Sequence, residues 1–134
     1  MTGGRTVRGD PHVQNQASYD GHTSPEDLLD AAYRAGLDAV VVTDHDSVAG
    51  ARAAEALASD RDLEVIVGCE VSTADGHLLA IGVDDRPEPN RSLSATARGI
   101  RKRGGIAVVP HPFQRLRHGA SRGAIAAVDG IEVY

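Results

Sequence analysis

The sequence predicts an α/β fold built on a mainly parallel sheet. Three observations point to it. Short runs of valine, isoleucine and leucine at 37–42, 63–71 and 106–109 alternate with segments of helical periodicity. Those runs are apolar almost without interruption, as strands covered on both faces are. Glycine and proline stand between the segments, at Gly36, at Gly104-Gly105 and at Pro110 and Pro112. A chain of 134 residues with 41% apolar content suits one domain with a core, residues 1–134. Aromatics are only 3%, so branched aliphatics and alanine must do the packing.

Taken in order, residues 7–13 can form a short first strand. Ser24-Pro25-Glu26-Asp27 is a helix start, with Ser24 as N-cap, Pro25 at the first helical position and acids in the first turn. Leu28, Ala32 and Ala35 share one face, and Gly36 ends the helix. Residues 37–42 follow as a strand. Asp46 or Ser47 can cap an alanine-rich second helix that runs to about Ala58. Residues 63–71 read as a third strand. Thr73-Ala74-Asp75-Gly76 is a turn whose Asp-Gly pair signals a hairpin, so 77–83 should pair back on the third strand. A loop with two prolines covers 84–90. Residues 92–103 fit a helix with Leu93, Ala97 and Ile100 on one face. Residues 106–109 form another buried strand. A short helix is expected around 121–128, and Gly130-Ile131-Glu132-Val133-Tyr134 opens like a strand.

Composition excludes several function classes. A net charge of −5 argues against a duplex DNA binder. The cluster Arg98, Arg101, Lys102 and Arg103 falls at the end of a helix, where cations suit the dipole. No stretch is long and apolar enough to span a membrane. The opening MTGGRTVRGD has no apolar signal-peptide core, so a cytoplasmic location is the default. Cys69 is the single cysteine, so no intrachain disulfide can form, and its strand context reads as a small buried thiol.

In parallel α/β folds, sites form at the carboxyl ends of strands. His12 ends the first predicted strand, with Asp20 in the loop beyond. Asp44 and His45 end the second, Glu70 lies near the end of the third, and His111 follows the strand 106–109. His77 opens a strand, but the hairpin returns it beside Glu70. Singly, His12 reads as a loop histidine, Asp44 as a helix cap and His111 as turn chemistry between prolines. His22 and His118 read as surface residues. Glu70, set in VIVGCEVS, needs a partner. Imidazole and carboxylate gathered on one rim are the ligands of Zn, Mn and Fe.

The segments GDPHVQNQASYDG (9–21), VVVTDHDSVAG (40–50), VGCEVSTADGHLLAIGVD (67–84) and GGIAVVPHPF (104–113) resemble the polymerase and histidinol phosphatase (PHP) domain family, in the family's order. The spacing is nearest to the small phosphoesterases that act on nucleotides and short RNA. The resemblance implies a distorted TIM-like (β/α)7 barrel, here truncated after about the fifth or sixth strand. It implies up to three divalent metals (Mn, Fe or Zn) at the mouth, with fewer held here. It also implies hydrolysis of a small phosphorylated substrate, a nucleotide or short RNA, by a metal-bound hydroxide.

Carried over by position, the resemblance implies that His12 binds a first metal and Glu70 bridges the first and second. His77 and His111 complete the second, and Asp20 and His45 bind a third. His45 and Asp44 are the implied catalytic pair, with Asp44 orienting a ligand. Arg115 and Arg117, just after His111, are candidate clamps for the substrate phosphate.

Two departures stand out. The family's His-x-His motif reads His12-Val13-Gln14 here, with Asn15 and Gln16 where Thr and often an acid are expected. The family's final Asp-x-His motif is absent. The competing expectation is therefore a catalytically impaired module, or a truncated fragment, with at most one intact metal site. An open barrel would also self-associate through its exposed edges.

Overall fold

Six strands lie side by side in chain order, in a sheet that curls into a half-barrel. The computed structural model describes residues 4, 6–15, 23–110 and 128–132. The strands are β1 (Gly9–Val13), β2 (Ala39–Val42), β3 (Glu64–Thr73), β4 (Gly76–Ile81), β5 (Ile106–Val109) and β6 (Gly130–Ile131). The pairs β1–β2, β2–β3 and β5–β6 are parallel. β4 alone runs against its neighbours, joined to β3 by the expected hairpin at Thr73↔Gly76. The expected helix around 121–128 falls almost wholly outside the described residues.

Among the described residues, three α-helices cover the outer face: α1 (Pro25–Arg34), α2 (Ala49–Leu57) and α3 (Leu93–Lys102). α1 starts as its sequence predicts, with the Ser24 hydroxyl accepting from the Asp27 N–H at 3.2 Å. Its buried side chains are Leu28, Leu29 and Ala32. Ala35 is exposed and belongs to the C-cap, so the apolar face turns toward Leu29 instead. α3 is capped by the Ser92 hydroxyl on the Ala95 N–H at 3.1 Å, and it buries the expected Leu93, Ala97 and Ile100.

The start of α2 departs from expectation. Its N-cap is Val48, with no side-chain capping bond. Ser47 only contacts the Ala49 N–H. Asp46 adopts a φ of +48°, and its Oδ1 accepts from the Ser72 N–H at 2.8 Å. That carboxylate is spent tying the β2 loop to β3 rather than capping a helix.

Alternation along the strands sorts the side chains. Val40 and Val42 of β2, with Val65 and Val67 of β3, pack outward on α1 and α2. Cys69 and Val71 of β3, Leu78 and Ala80 of β4, and Ala107 and Val109 of β5 pack outward on α3. Cys69 is fully buried there, and burial pushes its thiol up to about 12, so it is inert packing. The intervening positions, Thr43, Gly68, Glu70, His77 and Leu79, turn to the inner face. Gly68 is required there. A Cβ would lie 2.8 Å from the Ala80 carbonyl and 2.9 Å from Thr43 Cγ2. Among the described residues, no helix is long and apolar enough to cross a membrane.

Candidate metal centre

Residues from β1, the end of β2 and the start of β4 converge on Glu70 of β3. β1 contributes through an irregularity: Asp10 pairs with Val40 but Val13 with Val42, so β1 carries one extra residue around Pro11 and His12. Such a bulge at a sheet edge re-aims the side chains beside it. Beyond β2 the ladder continues for one bridge, His45↔Glu70. The Glu70 N–H donates to the Asp44 carbonyl at 2.9 Å, and the Asp46 N–H donates to the Glu70 carbonyl at 3.0 Å. Alternation then sends His45 inward and Asp44 outward. Across the hairpin, Ser72 faces His77, so Glu70, two residues from Ser72, shares a face with His77.

The Glu70 side chain is 1% exposed, yet both oxygens are engaged. Oε2 lies 2.9 Å from His45 Nδ1 and accepts from Gln14 Nε2 at 2.9 Å. Oε1 lies 3.4 Å from His12 Nε2 and 3.8 Å from His77 Nδ1. Burial alone would push the Glu70 carboxyl up. The His12 hydrogen bond and the charges of His45, His12 and His77 outweigh it and hold it down at about 2. His12 moves the other way. The Glu70 hydrogen bond, against the opposing effect of burial and with help from Glu132, raises it to about 9. Its Nδ1 lies 2.9 Å from Glu132 Oε1.

Outside this cluster, Asp44 and Asn15 are both fully buried, and Asp44 Oδ1 accepts the Asn15 backbone N–H at 2.7 Å. Burial raises the Asp44 carboxyl, while the Asn15 bond and the neighbouring His45 charge pull it down. Gly50 in the first turn of α2 makes room for the pair. A Cβ there would stand 2.3 Å from Asp44 Oδ2 and 2.4 Å from the Asn15 amide.

The donor set fits a divalent cation. One ligand atom each from His45, Glu70 and His77 lies within 4.8 Å of the others. Bond lengths of about 2.0–2.2 Å put tetrahedral ligand atoms roughly 3.4 Å apart, so small rotations suffice. A cavity of about 270 Å³ between β1 and α1 is walled mainly by Val13, Leu28, Ala32, Leu37 and Val40, and shares only Gln14 with the cluster.

Of the residues predicted from sequence, the structure brings together His12, His45, Glu70 and His77 and sets Asp44 behind them. Asp20, His111, Arg115 and Arg117 lie outside the described residues. Gln14 takes a role other than the one its motif position suggests, and Glu132 joins the site without being a candidate from sequence. Gln14 enters as a hydrogen-bond donor to Glu70, not as a carbonyl ligand. Glu132 reads from sequence only as part of the last strand, and its partner His12 lies 120 residues away.

Histidines and a buried carboxylate gathered on one rim of a curled α/β sheet are the donor set of barrel-type metal sites. The PHP domain matches residues 10–116, and the chain belongs to that family of metal-dependent phosphoesterases. An uncharacterised protein of Methanocaldococcus jannaschii is 27% identical over 116 residues, covering 86% of this chain and 68% of that protein. A 5'-3' exoribonuclease of Haemophilus influenzae is 30% identical over 129 residues, 93% of this chain. The chain spans 47% of that enzyme's length. The crystal structure of a candidate metal-dependent phosphoesterase from Bifidobacterium adolescentis shares the fold with a TM-score of 0.82 at 18% identity, over 97% of this chain and 78% of that one.

Proposed function

We propose that this chain holds divalent metal at His45, Glu70 and His77 and hydrolyses phosphate esters of a nucleotide or short RNA. The observation that carries the reading is Glu70: a carboxylate that burial should neutralise is kept ionised by the imidazoles around it. Such an anionic, imidazole-lined point suits Mn, Fe or Zn. When bound, a divalent cation supplies charge against phosphate oxygens and acidifies water. The chain's own residues do the rest. His45 and His77 present ring nitrogens on either side of Glu70. Asp44 acts by tying Asn15 to the strand end that carries His45. Asp20 and His111 are the further candidate ligands, and Arg115 and Arg117 the candidate phosphate clamps. Likeness to an exoribonuclease across most of the chain supports a nucleotide or short-RNA substrate.

Gln14 favours a second reading, a non-catalytic module with a single metal, because its amide N–H already occupies Glu70 Oε2. One experiment separates the two. The purified chain and its His77→Ala variant are analysed by elemental mass spectrometry, and hydrolysis of bis(p-nitrophenyl) phosphate is followed with added Mn(II). We expect about one tightly held transition metal, lost in the variant, and Mn-dependent turnover. Metal without turnover selects the non-catalytic module. A folded wild-type chain that binds no metal overturns both.

A further inference from the structure

We propose that Glu132 is a positioning residue for metal capture, holding the His12 imidazole by Nδ1 so that Nε2 is turned toward Glu70. The inference rests on the metal reading above and adds a residue to it.

Hydrogen-bond chemistry gives the first argument. An ionised carboxylate only accepts, so the 2.9 Å contact between His12 Nδ1 and Glu132 Oε1 places a proton on Nδ1. Nε2 is the nitrogen facing Glu70 Oε1, at 3.4 Å. Glu70 Oε1 is an acceptor too, so in the metal-free chain Nε2 also carries a proton, and a metal would displace that proton while Glu132 keeps the ring held through Nδ1–H. A carboxylate behind a histidine in this way sets both tautomer and ring orientation.

The backbone gives the second. His12 sits in the bulged part of β1, which among the described residues is an edge strand paired with β2, and Pro11 removes a ladder donor beside it. Nothing in the strand pairing dictates where the ring points. Glu132, by contrast, is presented from a well-tethered segment. Its N–H donates to the Val109 carbonyl at 2.8 Å. Three residues earlier, Asp129 exchanges bonds with Ala107 in both directions: its N–H donates to the Ala107 carbonyl and its Oδ2 accepts the Ala107 N–H, each at 2.9 Å. Arg101 of α3 grips the same carboxylate at 3.1 Å. The anchored partner is therefore Glu132, and the partner being oriented is His12. The two side chains are 25% and 19% exposed, so solvent screens the contact only in part.

The test is Co(II) binding to the full chain, by visible absorption and calorimetry at one pH and salt, in wild type, Glu132→Ala, Glu132→Gln, Glu132→Asp, His12→Ala and the double variant His12→Ala/Glu132→Ala. Loss of an orienting partner should weaken Co(II) binding by about 10- to 100-fold in Glu132→Ala. Glu132→Gln, whose Oε1 still accepts from Nδ1–H, should recover most of it. Glu132→Asp keeps the charge but loses the reach and should bind weakly, which also covers a Glu132→Ala chain that fails to fold. In the His12→Ala background, removing Glu132 should cost nothing further. A role of Glu132 that does not run through His12 would give an equal loss in both backgrounds, and that result overturns the proposal. So does wild-type affinity in Glu132→Asp or in His12→Ala. A folded wild type that binds no Co(II) instead overturns the metal reading itself.

Discussion

Asp44 Oδ1 accepts the backbone N–H of Asn15 at 2.7 Å with neither residue exposed, a bond that ties the loop after β1 to the end of β2. Both strand ends carry the residues that meet at Glu70. Asp44→Ala deprives a buried N–H of its acceptor and should destabilise the chain by about 1–3 kcal/mol. Urea denaturation measures the loss. Metal affinity should fall with it, because His12 and Gln14 lose their fixed distance from His45. Unchanged stability would mean that Asp44 does not hold this loop.

Gly50 and Gly99 should respond oppositely to alanine. Both lie in helices, where alanine is intrinsically favoured by up to about 1 kcal/mol. At Gly99 nothing lies within 4 Å of the new Cβ, so Gly99→Ala should stabilise α3. At Gly50 the Cβ would collide with Asp44 and Asn15. Gly50→Ala should cost about 1–3 kcal/mol through overpacking. Thermal midpoints of the two variants, moving in opposite directions, would bear this out.

The metal-free chain should have a bounded window of stability in pH. His12 rises from 6.5 to about 9 on folding. Its contribution is fully present below pH 6.5 and is lost as pH rises through 9. Glu70 falls from 4.5 to about 2. Its contribution is present above pH 4.5 and is lost as pH falls through 2. Urea midpoints should therefore peak between about pH 4.5 and 6.5 and decline on both sides. In Glu70→Gln the alkaline decline should shrink, since His12 loses the largest cause of its shift.

Gln14→His replaces an amide donor at Glu70 Oε2 with an imidazole ligand. Metal affinity should rise by on the order of tenfold, about 1.4 kcal/mol. Calorimetry with Mn(II) would detect it. Equal affinity in the two proteins would mean that residue 14 does not reach a bound metal.

Much of this fold was legible because its signals are local. Ser24 and Ser92 bond three residues ahead, within their own helix starts. His45 is legible as a residue at the end of the second strand, and alternation through Val40, Val42 and Asp44 is what turns it to the inner face. The hairpin that returns His77 to Glu70 follows from Asp75-Gly76, where Gly76 takes a φ of +125°. What was not legible depends on distant partners. Asp46 reads as a helix cap by type, but its acceptor role is claimed by Ser72, 26 residues on. Gln14 reads as a failed ligand, and only the Glu70 carboxylate opposite makes it a donor. Glu132 has no signature of its own, since the histidine it meets is 120 residues away.

That difference in separation has a kinetic consequence. His45, Glu70 and His77 come from one continuous stretch, joined by the β2–β3 crossover and a tight hairpin. Contacts of that kind close early, because little loop entropy must be lost first. His12 and Glu132 meet only when the first and last strands of the sheet have been brought round to each other. The three-residue cluster should therefore assemble before the histidine at its rim is aimed, and a metal ion present during refolding should be captured by a chain whose sheet is still open.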